Sequence, residues 1–221
     1  MQSGRYGKCG DPVMGRFILI YGKSGSGKSR SLKNFGPEEI FLVNVIGKEL
    51  PFRTKFKYVS ITDSVDTIIA GLKRMPCKTA VIDDAGYLMT SQFMAGHSQP
   101  KKGASSFDLY NDIADQFWKL IREIKALPDD VNVYITMHED TNDYGDTRLR
   151  TIGKLLNDKV CIEGMSTIVL RCVTLGSEHF FRTKTDGSDI TKAPEEMFEA
   201  DTIENDLKKV DAKIREFYSG N

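Results

Sequence analysis

Short, continuous apolar runs alternate along this chain with stretches whose apolar positions recur every three or four residues. The first run, Phe17-Ile18-Leu19-Ile20-Tyr21, has the character of a strand buried on both faces, and it passes into a glycine-rich turn at 22–27. A helix is predicted from about Lys28 to Asn34, closed by Gly36-Pro37. Ile40–Ile46 reads as a second buried strand. Beyond Tyr58-Val59-Ser60-Ile61, Asp63 is the expected N-cap of a helix to about Met75, whose Val65, Ile68, Ile69 and Leu72 share one face; Pro76 stops it. Thr79–Ile82 is the next strand and leads into Asp83-Asp84.

Residues 96–106 are polar and small, the composition of a mobile loop. A long amphipathic helix follows, with Tyr110, Ile113, Ala114, Phe117, Ile121 and Ile124 at helical spacing, and it stops at Pro128. Val131–Met137 is a further strand, succeeded by a second polar loop, Glu139–Arg150. Thr167–Thr174 and His179–Thr185 flank Leu175-Gly176-Ser177-Glu178 and predict a hairpin. Ile203, Leu207, Val210, Ile214 and Phe217 form the stripe of a terminal helix (201–218), with Asp201 and Glu204 as its capping pair and Gly220 as its stop. Strands alternating with helices imply an α/β fold with a mainly parallel sheet covered on both faces. The 221 residues suit a single domain with a flexible N-terminus over 1–15.

Composition narrows the class. An apolar share of 40% against 28% charged is that of a globular protein with a substantial core. Basic and acidic residues balance at 31 each, so no global field draws in polyanions. The ends differ in sign, however, with seven basic side chains against Asp11 alone in residues 1–33. Cys9, Cys77, Cys161 and Cys172 form no C-x-x-C pair, which speaks against a zinc site or a disulfide framework and for a reducing compartment. The start lacks the apolar run of a signal peptide, and no stretch approaches a membrane span. A soluble, cytoplasmic protein is expected.

The chemistry begins at Gly22-Lys23-Ser24-Gly25-Ser26-Gly27-Lys28-Ser29, which matches G-x-x-x-x-G-K-[ST] between a predicted strand and a predicted helix. Glycines let successive backbone N–H groups turn inward onto phosphate oxygens, and the following helix adds its positive end. Lys28 is then placed for the β- and γ-phosphates and the Ser29 hydroxyl for Mg²⁺, with Arg30 closing the phosphate-binding segment. Such a loop needs an acid at the end of another strand to hold the metal, and Asp83 in Ala80-Val81-Ile82-Asp83-Asp84 supplies it. Orienting the attacking water falls to Asp84 or, as a rival, to Glu49. At the end of the later strand stand Thr136 and His138, where similarity to RecA-like and related ATPases implies a polar residue that senses the γ-phosphate. No N-K-x-D guanine motif is present, so ATP is the expected nucleotide.

The series YGKSGSGKS, VIDDAGYLM, VYITMHED, RTIGKLLNDK, KTDGSDITKAPEEMF and NDLKKVDAKIREFY resembles phage-encoded RecA-like ATPases, often described as phage ATP-binding or AAA-family proteins and akin to RecA-core Sak-type single-strand annealing proteins. The resemblance spans about residues 15–218. It implies a RecA-like three-layer core, Mg²⁺-dependent ATP hydrolysis, and a role in phage DNA recombination or replication beside a single-stranded DNA-binding protein in the host cytoplasm. One departure is Ala85, where a larger residue is expected. RecA-like enzymes complete their site with a basic residue of the next subunit, so a homo-oligomer is implied, with Arg148, Arg150, Lys154, Lys184 and Lys192 as candidates. Single-stranded DNA would meet Lys101, Lys102 and Phe107, or Tyr144, Arg148 and Arg150, although Glu139, Asp140, Asp143 and Asp146 oppose phosphate in the latter loop. Two other readings stand beside this one: a nucleotide-dependent loader or assembly factor, and a small-molecule kinase, whose Arg-rich lid the acidic 139–150 segment does not provide.

Overall fold

The computed structural model describes residues 14–98, 106–152 and 160–219. Most of the expected flexible N-terminus, together with Lys101, Lys102, Lys154 and Gly220, lies outside them. The sheet has a parallel centre of six strands, ordered β3 (Tyr58–Ile61), β2 (Ile40–Asn44), β4 (Thr79–Asp83), β5 (Asn132–Thr141), β1 (Arg16–Gly22), β7 (Ile168–Leu175). Beyond β7, β8 (Glu178–Arg182) and β9 (Thr202–Glu204) continue it antiparallel, and β6 (Thr147–Leu149) pairs antiparallel with the outer end of β5.

The period-two pattern of β1 explains the layers. Phe17, Leu19 and Tyr21 join a core with α1 (Val65–Arg74), α2 (Gly86–Ser98) and α3 (Ser106–Lys125), while Ile18 and Ile20 face Leu32, Phe35 and α4 (Leu207–Ser219). Leu207, Val210 and Ile214 of α4 are buried there, each stabilising by about 1.5–3 kcal/mol. Helices therefore cover both faces, as an α/β parallel sheet requires. None of the described helices is long and apolar enough to cross a membrane.

Several local expectations need correction. Ser64, not Asp63, caps α1, its hydroxyl accepting the Thr67 N–H at 3.3 Å. α4 begins only at Leu207, because Thr202–Glu204 is drawn into the sheet against β8; the cap is Asp206, which accepts from the N–H groups of Lys208 and Lys209, and not the Asp201/Glu204 pair. The segment Glu139–Arg150 is largely a hairpin: β5 runs on to Thr141, and Asp140 lies opposite Arg148. α2 was absent from the sequence reading, and it carries the predicted loop's first residues, Gly96–Ser98, as its last turn.

Asp211 ties the layers together. It is a buried acid inside the apolar stripe of α4, and it accepts from Asn132 Nδ2 (2.8 Å), Tyr134 Oη (2.8 Å), Thr79 Oγ1 (3.0 Å) and Arg215 Nε (2.8 Å). The helix is thereby locked in register onto β4 and β5.

Candidate nucleotide site

The parallel register brings three strand ends to one edge of the sheet. β1 ends at Gly22, level with His138 of β5, and β4 ends at Asp83 on the far side of β5. A ligand site at the carboxyl ends of such strands is the general expectation for this architecture.

Between Gly22 and Ser29 the chain curls through left-handed conformations at Gly25 (φ 77°) and Gly27 (φ 102°) that side chains resist. A Cβ on Gly27 would lie 2.9 Å from the His179 ring, and one on Gly22 only 2.4 Å from the Cys172 carbonyl oxygen. The helix expected from Lys28 to Asn34 is instead a four-residue 3-10 turn, Ser29–Leu32. The Ser31 hydroxyl donates to the Lys28 carbonyl oxygen at 2.6 Å, Leu32 and Phe35 turn into the core, and Gly36-Pro37 ends the segment. So short a turn aligns few peptide dipoles, and attraction for phosphate rests on the loop N–H groups and Lys28 more than on a helix end.

Lys28 is buried. Its Nζ donates to the carbonyls of Gly22 (2.9 Å) and Lys23 (2.8 Å) and lies 3.3 Å from His138 Nδ1. Burial holds its pKa below the usual lysine value, with the charges of Asp84 and Asp83 opposing that shift. His138 is also held below its ordinary pKa, first by burial and then by Lys28, so the ring is neutral. A neutral ring that accepts from Lys28 at Nδ1 carries its proton on Nε2, which points to Asp84 Oδ1 at 3.5 Å.

The acids are placed as a pair with distinct surroundings. Asp83 is 1% exposed, accepting from Ser29 Oγ at Oδ2 and from Thr136 Oγ1 at Oδ1, both at 2.8 Å. Thr136 also accepts the Asp84 N–H at 2.8 Å, so of Thr136 and His138 the latter is the one that faces the cavity. Asp84 takes a left-handed backbone (φ 59°), is 2% exposed, and forms an ion pair with Lys48 through Oδ2; among the described residues its Oδ1 has only the long approach of His138 Nε2. A cavity of about 270 Å³ opens over the phosphate loop, lined by Ser24, Gly25, Lys28, Ser29, Lys48 and Glu49, with Gly27, Arg30, His138 and His179 also on its wall. Glu49 is exposed on the rim, and Asp84 sits behind Lys48.

These residues fit a magnesium nucleotide. Glycine at 22 and 27 lets the loop pack directly on Cys172 and His179, and one hydroxyl beside one carboxylate is the sparse protein share that Mg²⁺ takes when phosphate and water complete its shell.

The other basic candidates do not converge here. Arg148 and Arg150 are exposed on and just after β6, Tyr144 is 92% exposed at the hairpin tip, Lys184 pairs with Asp201 at 3.0 Å, and Lys192 is exposed opposite Val169. Phe107 lies in the first turn of α3. Sequence reasoning missed Lys48, Cys172 and His179. His179 Nδ1 lies 2.9 Å from the Ser26 carbonyl oxygen and must donate to it, and Cys172 Sγ donates to the same oxygen at 3.0 Å, so the hairpin β7–β8 braces the phosphate loop from outside. The thiol is pushed up to about 11 by burial and stays protonated for that bond. Nothing in the sequence marks these two except their place on inward and loop-facing positions of a hairpin.

A family model described as an AAA domain matches residues 14–201. No curated protein matches the chain at a significant level. With the phosphate loop, the acid-bearing strand and the six parallel strands all inside the matched span, the chain belongs to the AAA domain family and has the α/β fold of a nucleotide-binding P-loop ATPase.

Proposed function

We propose that this protein binds Mg²⁺–ATP at residues 22–30 and hydrolyses it, and that it works as a RecA-like ATPase in phage DNA recombination or replication, as a homo-oligomer on single-stranded DNA beside a single-stranded DNA-binding protein. The observation that carries the ATPase reading is the 2.8 Å contact of Ser29 Oγ with Asp83 Oδ2, next to a buried Lys28. The DNA part is supported by the resemblance of the motif series and by the exposed Arg148, Arg150 and Tyr144 on one hairpin.

Each residue has a distinct task. Loop N–H groups and Lys28 hold the phosphates, with Lys28 leaving the Gly22 and Lys23 carbonyls to do so. Ser29 and Asp83 would hold the metal, which would supply positive charge to neutralise the phosphates. Asp84, or Glu49 on the rim, orients the water. His138 touches both Lys28 and Asp84, so loss of the terminal phosphate changes its contacts and, through Arg150 N–H bonded to the His138 carbonyl at 2.9 Å, reaches the 139–150 hairpin.

The deciding experiment is ATP hydrolysis with and without single-stranded DNA, comparing wild type with Lys28→Ala. Turnover stimulated by DNA and abolished in the variant is expected. Wild-type turnover that Lys28→Ala leaves intact defeats the ATPase reading, and stimulation by a helicase or other protein instead of DNA favours a loader.

A further inference from the structure

The position of Lys48 suggests a phosphate-directed cation within the same chain. Asp84 is buried with a backbone set by the Thr136 hydroxyl and by Ala85 N–H bonded to the Thr136 carbonyl, so its carboxylate has little freedom. One of its oxygens is occupied by Lys48, and the other faces only the His138 Nε2 at 3.5 Å among the described residues. A carboxylate neutralised in this way is a poor acceptor for the proton of a water. Its partner, by contrast, is built to move. The Lys48 backbone is pinned, since Asn44 Nδ2 donates to its carbonyl at 2.6 Å just after the left-handed turn at Gly47 (φ 67°). Its side chain is 40% exposed and lies along the wall of the cavity that holds Lys28 and Ser29. A flexible four-carbon stem on a fixed backbone can swing its ammonium several ångströms. A terminal phosphate on the loop offers more negative charge than one carboxylate.

We propose that Lys48 contacts the terminal phosphate of bound ATP, leaving Asp84 as it does so, and thereby frees Asp84 to receive the water. Resting on the ATPase reading above, this supplies in cis the cation sought among Arg148, Arg150, Lys154, Lys184 and Lys192. It also makes release of the acid conditional on a third phosphate: ADP leaves Lys48 on Asp84.

The test compares affinity for a non-hydrolysable β,γ-imido ATP analogue with that for ADP, both with Mg²⁺, in wild type, Lys48→Gln and Lys48→Arg. The glutamine amide can still donate to Asp84, which protects the fold, and ADP binding reports that the fold is intact. Lys48→Gln is expected to lose about tenfold in affinity for the analogue, the size of one charge-assisted contact, with ADP affinity unchanged, and kcat should fall about 100-fold. Lys48→Arg should recover most of the preference for the third phosphate. An analogue-to-ADP ratio equal to wild type in Lys48→Gln, or an equal loss for both nucleotides, overturns the proposal and leaves Lys48 as a structural counter-ion. Absence of binding of either nucleotide by wild type would remove the ATPase reading itself, a separate result.

Discussion

Ser29 Oγ donates to Asp83 Oδ2 at 2.8 Å, joining the phosphate loop at the end of β1 to the end of β4, with β5 lying between the two strands. The contact closes the floor of the site across a strand that contributes Thr136 to the same carboxylate. Burial raises the Asp83 pKa above the usual carboxylate value, the Asp84 charge adds to it, and the two hydroxyls oppose it.

That setting sets function against stability. A carboxyl whose folded pKa is raised favours the fold while protonated, and this contribution is lost as pH rises from the unfolded value through the folded one; at neutral pH its charge is a cost. Asp83→Asn is therefore expected to raise the melting temperature of the nucleotide-free protein. The same variant should lose Mg²⁺-dependent ATP binding. Calorimetry at neutral pH showing no gain, or titration showing intact magnesium-dependent uptake, contradicts this account.

Asp211 has the opposite character. It accepts from four side chains on α4, β4 and β5, and removing it leaves the buried Asn132 and Tyr134 without this acceptor. Asp211→Ala should destabilise by about 1–3 kcal/mol for each buried donor it leaves unpaired, on Asn132 and on Tyr134. Urea denaturation measures it. A change under about 1 kcal/mol would mean that water replaces the acid, as at an exposed site.

How the fold could be read follows from which forces are local. The strands β1, β2 and β4 are legible because burial on both faces demands unbroken apolar runs such as Phe17–Tyr21. The loop 22–29 is legible because only glycine tolerates its backbone at Gly25 and Gly27. Ile203 was misread as helical because its spacing to Leu207 fits a helix, whereas pairing with Phe181 draws it into the sheet. α2 escaped because its apolar residues do not segregate to one side: Leu88 and Met89 are buried while Met94 is exposed. Lys48, Cys172 and His179 meet the site from residues distant in sequence, and side chains whose role is set only by tertiary contact leave no motif.

His138 should give the site a pH signature. Its folded pKa lies below 6.5, chiefly through burial, so its contribution to stability is present above the unfolded value and is lost as pH falls through the folded one. Wild type should therefore lose stability relative to His138→Gln as pH drops below about 6.5. Thermal melts of both proteins across that range check it. A constant difference between the two curves shows that the ring is not held neutral by its neighbours.

The choice between Asp84 and Glu49 as the water-orienting acid comes down to two substitutions that barely disturb the backbone. Asparagine accepts left-handed conformations more readily than most residues, so Asp84→Asn keeps the φ of 59° and the N–H bond to Thr136 while removing the charge. Glu49 is exposed on the cavity rim, so Glu49→Gln is structurally mild. Asp84 is the more rigid of the two, and a fixed acceptor is what orientation of water requires. Asp84→Asn is expected to lower kcat by about 100- to 10,000-fold, the range for losing a general base, with ATP affinity preserved because Lys28, Ser29 and Asp83 remain. Glu49→Gln should stay within about threefold of wild type, as befits a rim charge outside the reaction. Steady-state hydrolysis together with equilibrium binding separates the two. Normal turnover in Asp84→Asn with collapse in Glu49→Gln would transfer the role to Glu49, and the ion pair of Asp84 with Lys48 would then be structural.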